Sequence, residues 1–267
     1  MACDPEFYFQ RDHILSLHRM KIIKEILGRV FALWALTWFL LTMLILFIPI
    51  LMTGLWPEPR RTQFLCNICR VWMAFFYFIT GLRLKIKGKE FFKKGEAYIV
   101  VCNHNTLMDP PVSTPAIPGP SKTIAKAEMS RIPIFGTIYK RGAVLVNRKN
   151  DESRKASYGK MKDVLKLGMH MCIYPEGTRN KTKDPLQKFH NGAFSLSVET
   201  GHSVLPAVLL NTKNILPNNK TFYFWPGKIE MHFLAPVDPS SQSIEQLKEK
   251  VFNLMKDHYA QHSDLIH

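Results

Sequence analysis

The sequence predicts an α/β fold, with a mostly parallel central sheet flanked by helices and an N-terminal helical region that associates with a membrane. Two patterns predict it. From residue 85 onward, short apolar runs alternate with segments of helical periodicity, as in proteins built around a parallel sheet. Before that point the chain is dominated by one long uncharged run, residues 30–57. We therefore divide the chain into a membrane-associating region, residues 1–84, and a second domain, residues 85–267.

The first region contains two apolar segments. Residues 30–57 exceed the roughly 20 residues with which a helix crosses a bilayer. Residues 71–82 are too short to cross alone and lie between Arg70 and Arg83. Because basic residues flank both segments, the charge distribution does not choose between one spanning helix and two helices that enter a single leaflet. A pair of buried core helices is the alternative to membrane attachment.

The second domain shows strands and helices in alternation. Helices are predicted for residues 152–167, which Gly168 closes, and for residues 192–200. A C-terminal helix should begin at Ile244, because Ser243 and Gln246 form a capping box. Two apolar runs around Pro226-Gly227 predict a hairpin. The candidate strands are residues 84–87, 97–102, 123–125, 143–147, 170–174 and 204–210.

The net charge limits the classes of binding partner, and the cysteine content indicates the redox state of the cellular compartment. The formal net charge of +15 favours an anionic membrane surface, phosphorylated substrates or nucleic acid. Nucleic acid is not expected, because the sequence has neither zinc-finger spacing nor an RNA-binding motif. Five scattered cysteines indicate a reducing compartment rather than a disulfide framework. Cys66 and Cys69 have metal or redox spacing, but their apolar surroundings favour buried thiols.

A histidine and an aspartate, His104 and Asp109, follow the predicted strand 97–102. Five positions apart on a helix they would not share a face, but a turn supported by Pro110 can bring them together. A carboxylate that holds one imidazole nitrogen leaves the other free to take a proton. The pair is two thirds of a Ser-His-Asp triad, and the missing hydroxyl could belong to the substrate.

A second polar block, Tyr-Pro-Glu-Gly-Thr-Arg at residues 174–179, also follows an apolar strand. Gly177 permits a tight turn, Thr178 offers a hydroxyl, and Arg179 offers a planar fork suited to phosphate or carboxylate. A surface turn with a solvated arginine is the alternative.

Two further cations, Lys126 and Arg148, follow apolar runs. With Arg179 they could form an anion pocket beside His104, although each is also compatible with a solvated strand end. Pro206 marks a fourth apolar segment near an edge or a bulge.

Together these blocks resemble the 1-acyl-sn-glycerol-3-phosphate acyltransferase family of lysophospholipid acyltransferases. The resemblance runs in order from about Lys87 to Leu210. Two positions depart from the family pattern: Thr106 replaces a common serine, and His190 replaces the lysine of a Phe-Lys-x-Gly sequence. The blocks that carry it are Asn103-His104-x4-Asp109, residues 126–148, Pro175-Glu176-Gly177-Thr178-Arg179 and Leu205-Pro206.

The resemblance implies transfer of a fatty acyl group from a coenzyme A or acyl-carrier-protein thioester to the hydroxyl of lysophosphatidate, giving phosphatidate. His104 would be the general base and Asp109 its orienting partner, while the block Glu176 to Arg179 would bind the glycerol phosphate. Neither a metal nor a bound redox cofactor is implied. The lipid substrates account for the membrane-seeking N-terminus, and the location of the donor implies an active site that faces the cytoplasm.

Two alternatives stay open from the sequence. The acceptor could be another lysophospholipid, because the motifs do not determine it. The chain could also be a catalytically silent lipid-binding protein on the membrane, although the intact pair His104 and Asp109 and the block from Glu176 to Arg179 favour an enzyme.

Overall fold

One seven-stranded sheet forms the centre of the structure. The computed structural model describes residues 5–147, 150–182 and 184–262, with the backbone alone for residues 5–15. The strand order is β1-β7-β6-β2-β5-β3-β4, and every neighbouring pair is parallel except β6 and β7. The predicted mostly parallel sheet is therefore confirmed. The strands are β1 (Arg83–Lys87), β2 (Ile99–Cys102), β3 (Ser121–Lys126), β4 (Ala143–Val146), β5 (His170–Ile173), β6 (Val204–Leu210) and β7 (Lys228–Phe233).

Helices cover both faces of the sheet, so that the central strands are buried on both sides. In β6, Leu205 and Leu209 face a core shared with α1, α2 and α3, while Val204 and Val208 face α5, α6 and α8. Short 3₁₀ turns lie at Thr53–Leu55, Lys89–Phe91 and Ala127–Arg131. The helices are α1 (Pro5–Met52), α2 (Arg60–Thr80), α3 (Asp109–Ala116), α4 (Phe135–Gly142), α5 (Asp151–Lys166), α6 (Gly192–Thr200), α7 (Thr212–Ile215) and α8 (Ile244–Gln261).

Most predicted elements agree with the structure, including the six candidate strands and helices α5 and α6. The predicted cap of α8 is also confirmed, since Ser243 and Gln246 exchange both hydrogen bonds of a capping box. Helix α3 was not predicted because it contains three prolines, two of which occupy its first turn, where no backbone donor is needed. Helix α4 was not predicted either, and it is only 8 residues long.

The predicted hairpin around Pro226-Gly227 is wrong. Strand β7 pairs with β1 and β6 instead, so both of its edges are occupied and the run just before it has no edge to pair with. The preceding run is tied to other elements: Phe224 N–H donates to the carbonyl of Gly28 in α1, and Trp225 N–H donates to that of Ile215 in α7.

The first two helices form a hairpin whose inner face belongs to the core beneath the sheet. The Phe39 ring stacks on that of Trp72 at 5.0 Å, and Trp72 Nε1 donates to Thr42 Oγ1 at 2.8 Å. Helix α2 begins at Arg60 and has 21 residues, so it is longer than its apolar segment suggested. By length and composition alone, both helices could cross a membrane.

The outer face of the hairpin carries large apolar side chains. Ile45, Ile48 and Phe78 are 71%, 67% and 84% exposed. Exposed apolar patches of this kind mark interaction surfaces. This face is the part of residues 1–84 that we expect to contact lipid.

Charge placed on this face should release the protein from lipid. We expect Ile45→Asp combined with Ile48→Asp to weaken binding to phospholipid vesicles by at least about tenfold, since a buried carboxylate in hydrocarbon costs on the order of 2.5–3.5 kcal/mol. Vesicle co-sedimentation measures this. Leu254→Asp, at an exposed position of α8, is the matched control. Equal binding by wild type and the double variant would exclude this face as the contact.

Candidate active site

The site begins where β2 ends, and the side chain of Asn103 anchors that end. Asn103 Nδ2 donates to Leu209 O at 3.0 Å, and Asn103 Oδ1 accepts from Leu209 N–H at 2.7 Å. The buried amide thus extends the pairing of β2 with β6 by one rung. His104 follows immediately, so the start of its turn is held against β6.

The predicted contact between His104 and Asp109 is present. His104 Nδ1 lies 2.8 Å from Asp109 Oδ2, and the same oxygen accepts the backbone N–H groups of Asn105 and Thr106. Asp109 is fully buried. Because a carboxylate only accepts, Nδ1 carries the proton and Nε2 carries the lone pair. The turn is as predicted, but Asp109 also begins α3.

The backbone of His104 is held from the loop that follows β5. His104 N–H donates to Glu176 Oε1 at 2.7 Å, and His104 O accepts from Asn180 N–H at 2.6 Å. The other oxygen of Glu176 accepts from Gln187 N–H at 2.9 Å. Glu176 therefore has a positioning role within the protein, beside the substrate contact predicted for it, which stays a prediction.

Burial governs the charges around this loop. It raises the pKa of the Glu176 carboxyl, although the two backbone hydrogen bonds oppose the shift. Burial lowers the pKa of Lys213, and the carboxylates of Glu176, Asp109 and Asp184 oppose that shift. Lys213 Nζ donates to Thr182 O at 3.2 Å, so this cation braces the same loop.

Tyr174 contacts His104, a role that its place in the second polar block did not predict. Its ring stacks on the His104 imidazole with centroids 4.4 Å apart, and its hydroxyl lies 2.7 Å from Ser113 Oγ of α3. Burial raises the pKa of this hydroxyl well above its usual value. The one signal in the sequence was its place at the end of a predicted strand, directly before Pro175-Glu176.

The remaining predicted residues lie at the same edge of the sheet or outside the described residues. Gly177 adopts φ 69°, as the predicted tight turn requires, while Thr178 is exposed and Arg179 is half-buried. Lys126 is exposed at the carboxyl end of β3. Arg148 lies outside the described residues.

An apolar cavity of about 500 Å³ opens beside the His104 turn. Leu107, Met108 and Pro111 of that turn and of α3 line one side, while α1 and α2 line another. Arg179 and Lys220 bring positive charge to its wall, and Lys220 is ion-paired with Glu25 of α1. The cavity can hold an apolar chain with an anionic group near one end.

Comparisons with known proteins show which proteins this chain resembles. The family model described as Acyltransferase matches residues 83–210. The chain is 31% identical over 158 residues to a 1-acyl-sn-glycerol-3-phosphate acyltransferase of Borreliella burgdorferi, which covers 59% of this chain and 60% of that protein. It is 31% identical over 189 residues to a protein of the same name from Cocos nucifera, covering 67% of this chain and 59% of that protein. These matches confirm the resemblance, and the aligned region spans about three fifths of each relative.

A solved structure shares the fold. It is the 1-acyl-sn-glycerophosphate (LPA) acyltransferase PlsC of Thermotoga maritima, which superposes with a TM-score of 0.78 at 22% sequence identity. The match covers 90% of this chain and 98% of that one. The two chains therefore share a fold over most of their length.

Glu176 accepts hydrogen bonds from the backbone N–H groups of His104 and Gln187 and so clamps these two segments together. This clamp can be tested directly. In Glu176→Gln the amide has one accepting oxygen, so one of the two backbone donors loses its partner. We expect faster amide exchange in the peptides containing His104 or Gln187, and an unfolding free energy lower by about 1–3 kcal/mol. Hydrogen exchange with mass spectrometry and thermal unfolding measure the two effects.

Glu128→Gln is the matched control, because this exposed glutamate lies on the 3₁₀ turn after β3. Unchanged exchange at both peptides in Glu176→Gln would contradict the clamp.

Proposed function

We propose that this chain, whose residues 83–210 match the acyltransferase family model, transfers a fatty acyl group from an acyl thioester to the free hydroxyl of lysophosphatidate, giving phosphatidate. The observation that carries the proposal is the His104–Asp109 hydrogen bond of 2.8 Å beside an apolar cavity with cationic side chains in its wall. The names of the relatives support the same acceptor.

The imidazole of His104 acts as the general base. With Nδ1 protonated against Asp109, Nε2 takes the proton of the acceptor hydroxyl as its oxygen attacks the thioester carbonyl carbon. The carbon–sulfur bond then breaks, and the imidazolium returns the proton to the leaving thiolate. Such assistance contributes roughly a hundred- to ten-thousandfold. Asp109 and Tyr174 keep the ring in the orientation that the transfer needs.

Cations at the carboxyl edge of the sheet bind the acceptor's phosphate. Arg179 is the first candidate because it borders both the His104 turn and the cavity. Glu176, Gly177 and Thr178 shape its loop, and the predicted partners are Lys126 and Arg148. An arginine fork binds phosphate in a bidentate way, which a lysine cannot reproduce.

The donor and the membrane complete the proposal. The donor is acyl-CoA or acyl-carrier protein, and the apolar cavity is suited to a hydrocarbon chain. The hairpin of α1 and α2 holds the protein on the bilayer, from which lipid substrates enter, with the active site on the cytoplasmic side. The chemistry proposed for these residues needs no metal or bound redox cofactor.

Removal of the base should abolish turnover without unfolding the protein. His104→Ala is expected to lose nearly all activity, and Asp109→Asn should be severe because the imidazole loses control of its tautomer. Thioester release with lysophosphatidate measures the rate, while vesicle binding and thermal unfolding check the fold. A rate for His104→Ala above about a tenth of wild type, a loss under ~1.4 kcal/mol, would refute the assignment.

Arg179→Ala should affect phosphorylated acceptors selectively. A charge-assisted hydrogen bond contributes on the order of 1.5–3 kcal/mol, so kcat/KM for lysophosphatidate should fall roughly tenfold to a hundredfold. The fall should be much smaller for a monoacylglycerol, which has no phosphate. Arg179→Lys should restore activity only in part.

Lys181→Ala is the matched control, since it removes an exposed cation two residues along the chain. Equal losses for the two acceptors in Arg179→Ala would show that Arg179 holds the loop or the donor instead.

A further inference from the structure

Three histidines meet where the C-terminal end of α8 approaches β7. One ring nitrogen from each of His232, His258 and His262 lies within 4.8 Å of the other two. We propose that these histidines bind a divalent transition-metal ion, for which Zn²⁺ is the first probe, and that the ion fastens the end of α8 to the sheet. Imidazole suits zinc, and three histidines with a water molecule complete its tetrahedron.

His232 is prepared for this role by a buried carboxylate. It is buried on the face of β7 that α8 covers, and its Nε2 lies 2.8 Å from Glu230 Oε2. A carboxylate only accepts, so Nε2 carries the proton and Nδ1 carries the lone pair. That Nδ1 points to α8, where it lies 2.8 Å from His258 Nε2. A carboxylate behind a metal-binding histidine is the usual support of zinc sites.

The two helix histidines are spaced as a chelating pair. His258 lies in the last turn of α8 and His262, four residues on, is the C-cap residue that follows the helix; their rings stack with centroids 4.2 Å apart. His262 Nδ1 lies 2.9 Å from the carbonyl oxygen of His258. A carbonyl only accepts, so Nδ1 is the protonated nitrogen of His262 and Nε2 is free to bind a metal.

Only small movements separate this arrangement from a zinc site. With zinc–nitrogen bonds of about 2.0–2.1 Å, tetrahedral ligand nitrogens lie roughly 3.3 Å apart. The 2.8 Å between His232 and His258 must therefore widen slightly, and the third nitrogen must move inward. His258 and His262 are half-buried at the end of the helix, so their rings can turn. The proton that His258 Nε2 shares with His232 would pass to its Nδ1.

Some neighbouring charged groups oppose the binding of a cation here, and one favours it. Lys87 of β1 and Lys228 of β7 lie 3.4 Å and 2.6 Å from the carboxylate of Glu230. These cations oppose a further positive charge, while Glu230 favours it. Both lysines are about half exposed and can extend into water when an ion binds.

The cluster is separate from the proposed reaction. It lies on the α8 face at β7, two strands from β2, which carries His104. The ion would have a structural role, so the prediction that the transfer itself needs no metal is unaffected.

The test is zinc binding by the purified full-length chain, without a histidine tag, in detergent micelles. A chromogenic chelator competes for Zn²⁺. We expect one tight site per chain, and a loss of affinity of more than about a hundredfold in the double variant His258→Gln, His262→Gln, since loss of a supporting partner alone costs ten- to a hundredfold. Zn²⁺ should also raise the Tm of wild type and leave that of the double variant unchanged.

Three further variants make the result specific. Glu230→Gln should weaken Zn²⁺ binding by about ten- to a hundredfold. His18→Gln, at an exposed histidine of α1, should leave it unchanged. His104→Ala should also retain the tight site, which excludes binding at the His104–Asp109 pair. The proposal is overturned if wild type has no tight site, or if the double variant binds Zn²⁺ as tightly as wild type.

Discussion

The position of one histidine depends on contacts from three directions. Asp109 holds the His104 ring from its own turn, Glu176 and Asn180 hold its backbone from the loop after β5, and Tyr174 covers its ring. The carboxylates of Asp109 and Glu176 are buried, and each accepts backbone N–H groups. A buried carboxylate is costly unless such donors satisfy it, so the two loops and the histidine are stable only as a unit.

The same helices serve the core, the cavity and the outer apolar surface. Trp72 and Phe76 of α2 are buried with residues of the sheet, and Phe39 and Phe76 line the cavity. Ile45 and Phe78 point outward from the same hairpin. The cavity beside the His104 turn and the exposed apolar face therefore belong to the same two helices. This packing also means that removal of α1 and α2 would expose one face of the sheet.

Helix α8 covers the second face of the sheet, and its contacts with β6 differ from its contacts with β7. Over β6, α8 packs with apolar side chains such as Leu247 and Val251. Over β7, the helix ends above a polar group built on Glu230 and His232. Buried polar groups in a mostly apolar layer require partners, and His258 of α8 supplies the partner of His232 Nδ1 in the structure.

The sequence by itself determined the six candidate strands, helices α5 and α6, the capped C-terminal helix and the His104–Asp109 contact. Each of these depends on residues that are close along the chain. The periodicity of apolar residues predicts the strands and helices, the capping residues predict the helix start, and a five-residue turn joins His104 to Asp109. Tertiary structure alone decided the rest. Strand β7 could have paired with the run before it, but in the folded protein it hydrogen-bonds to β1 on one edge and to β6 on the other. The ring of Tyr174 stacks on that of His104. His232 contacts His258, which lies 26 residues further along the chain. These contacts join residues distant along the chain, and they exist only because the packed sheet places strand ends and helix ends side by side.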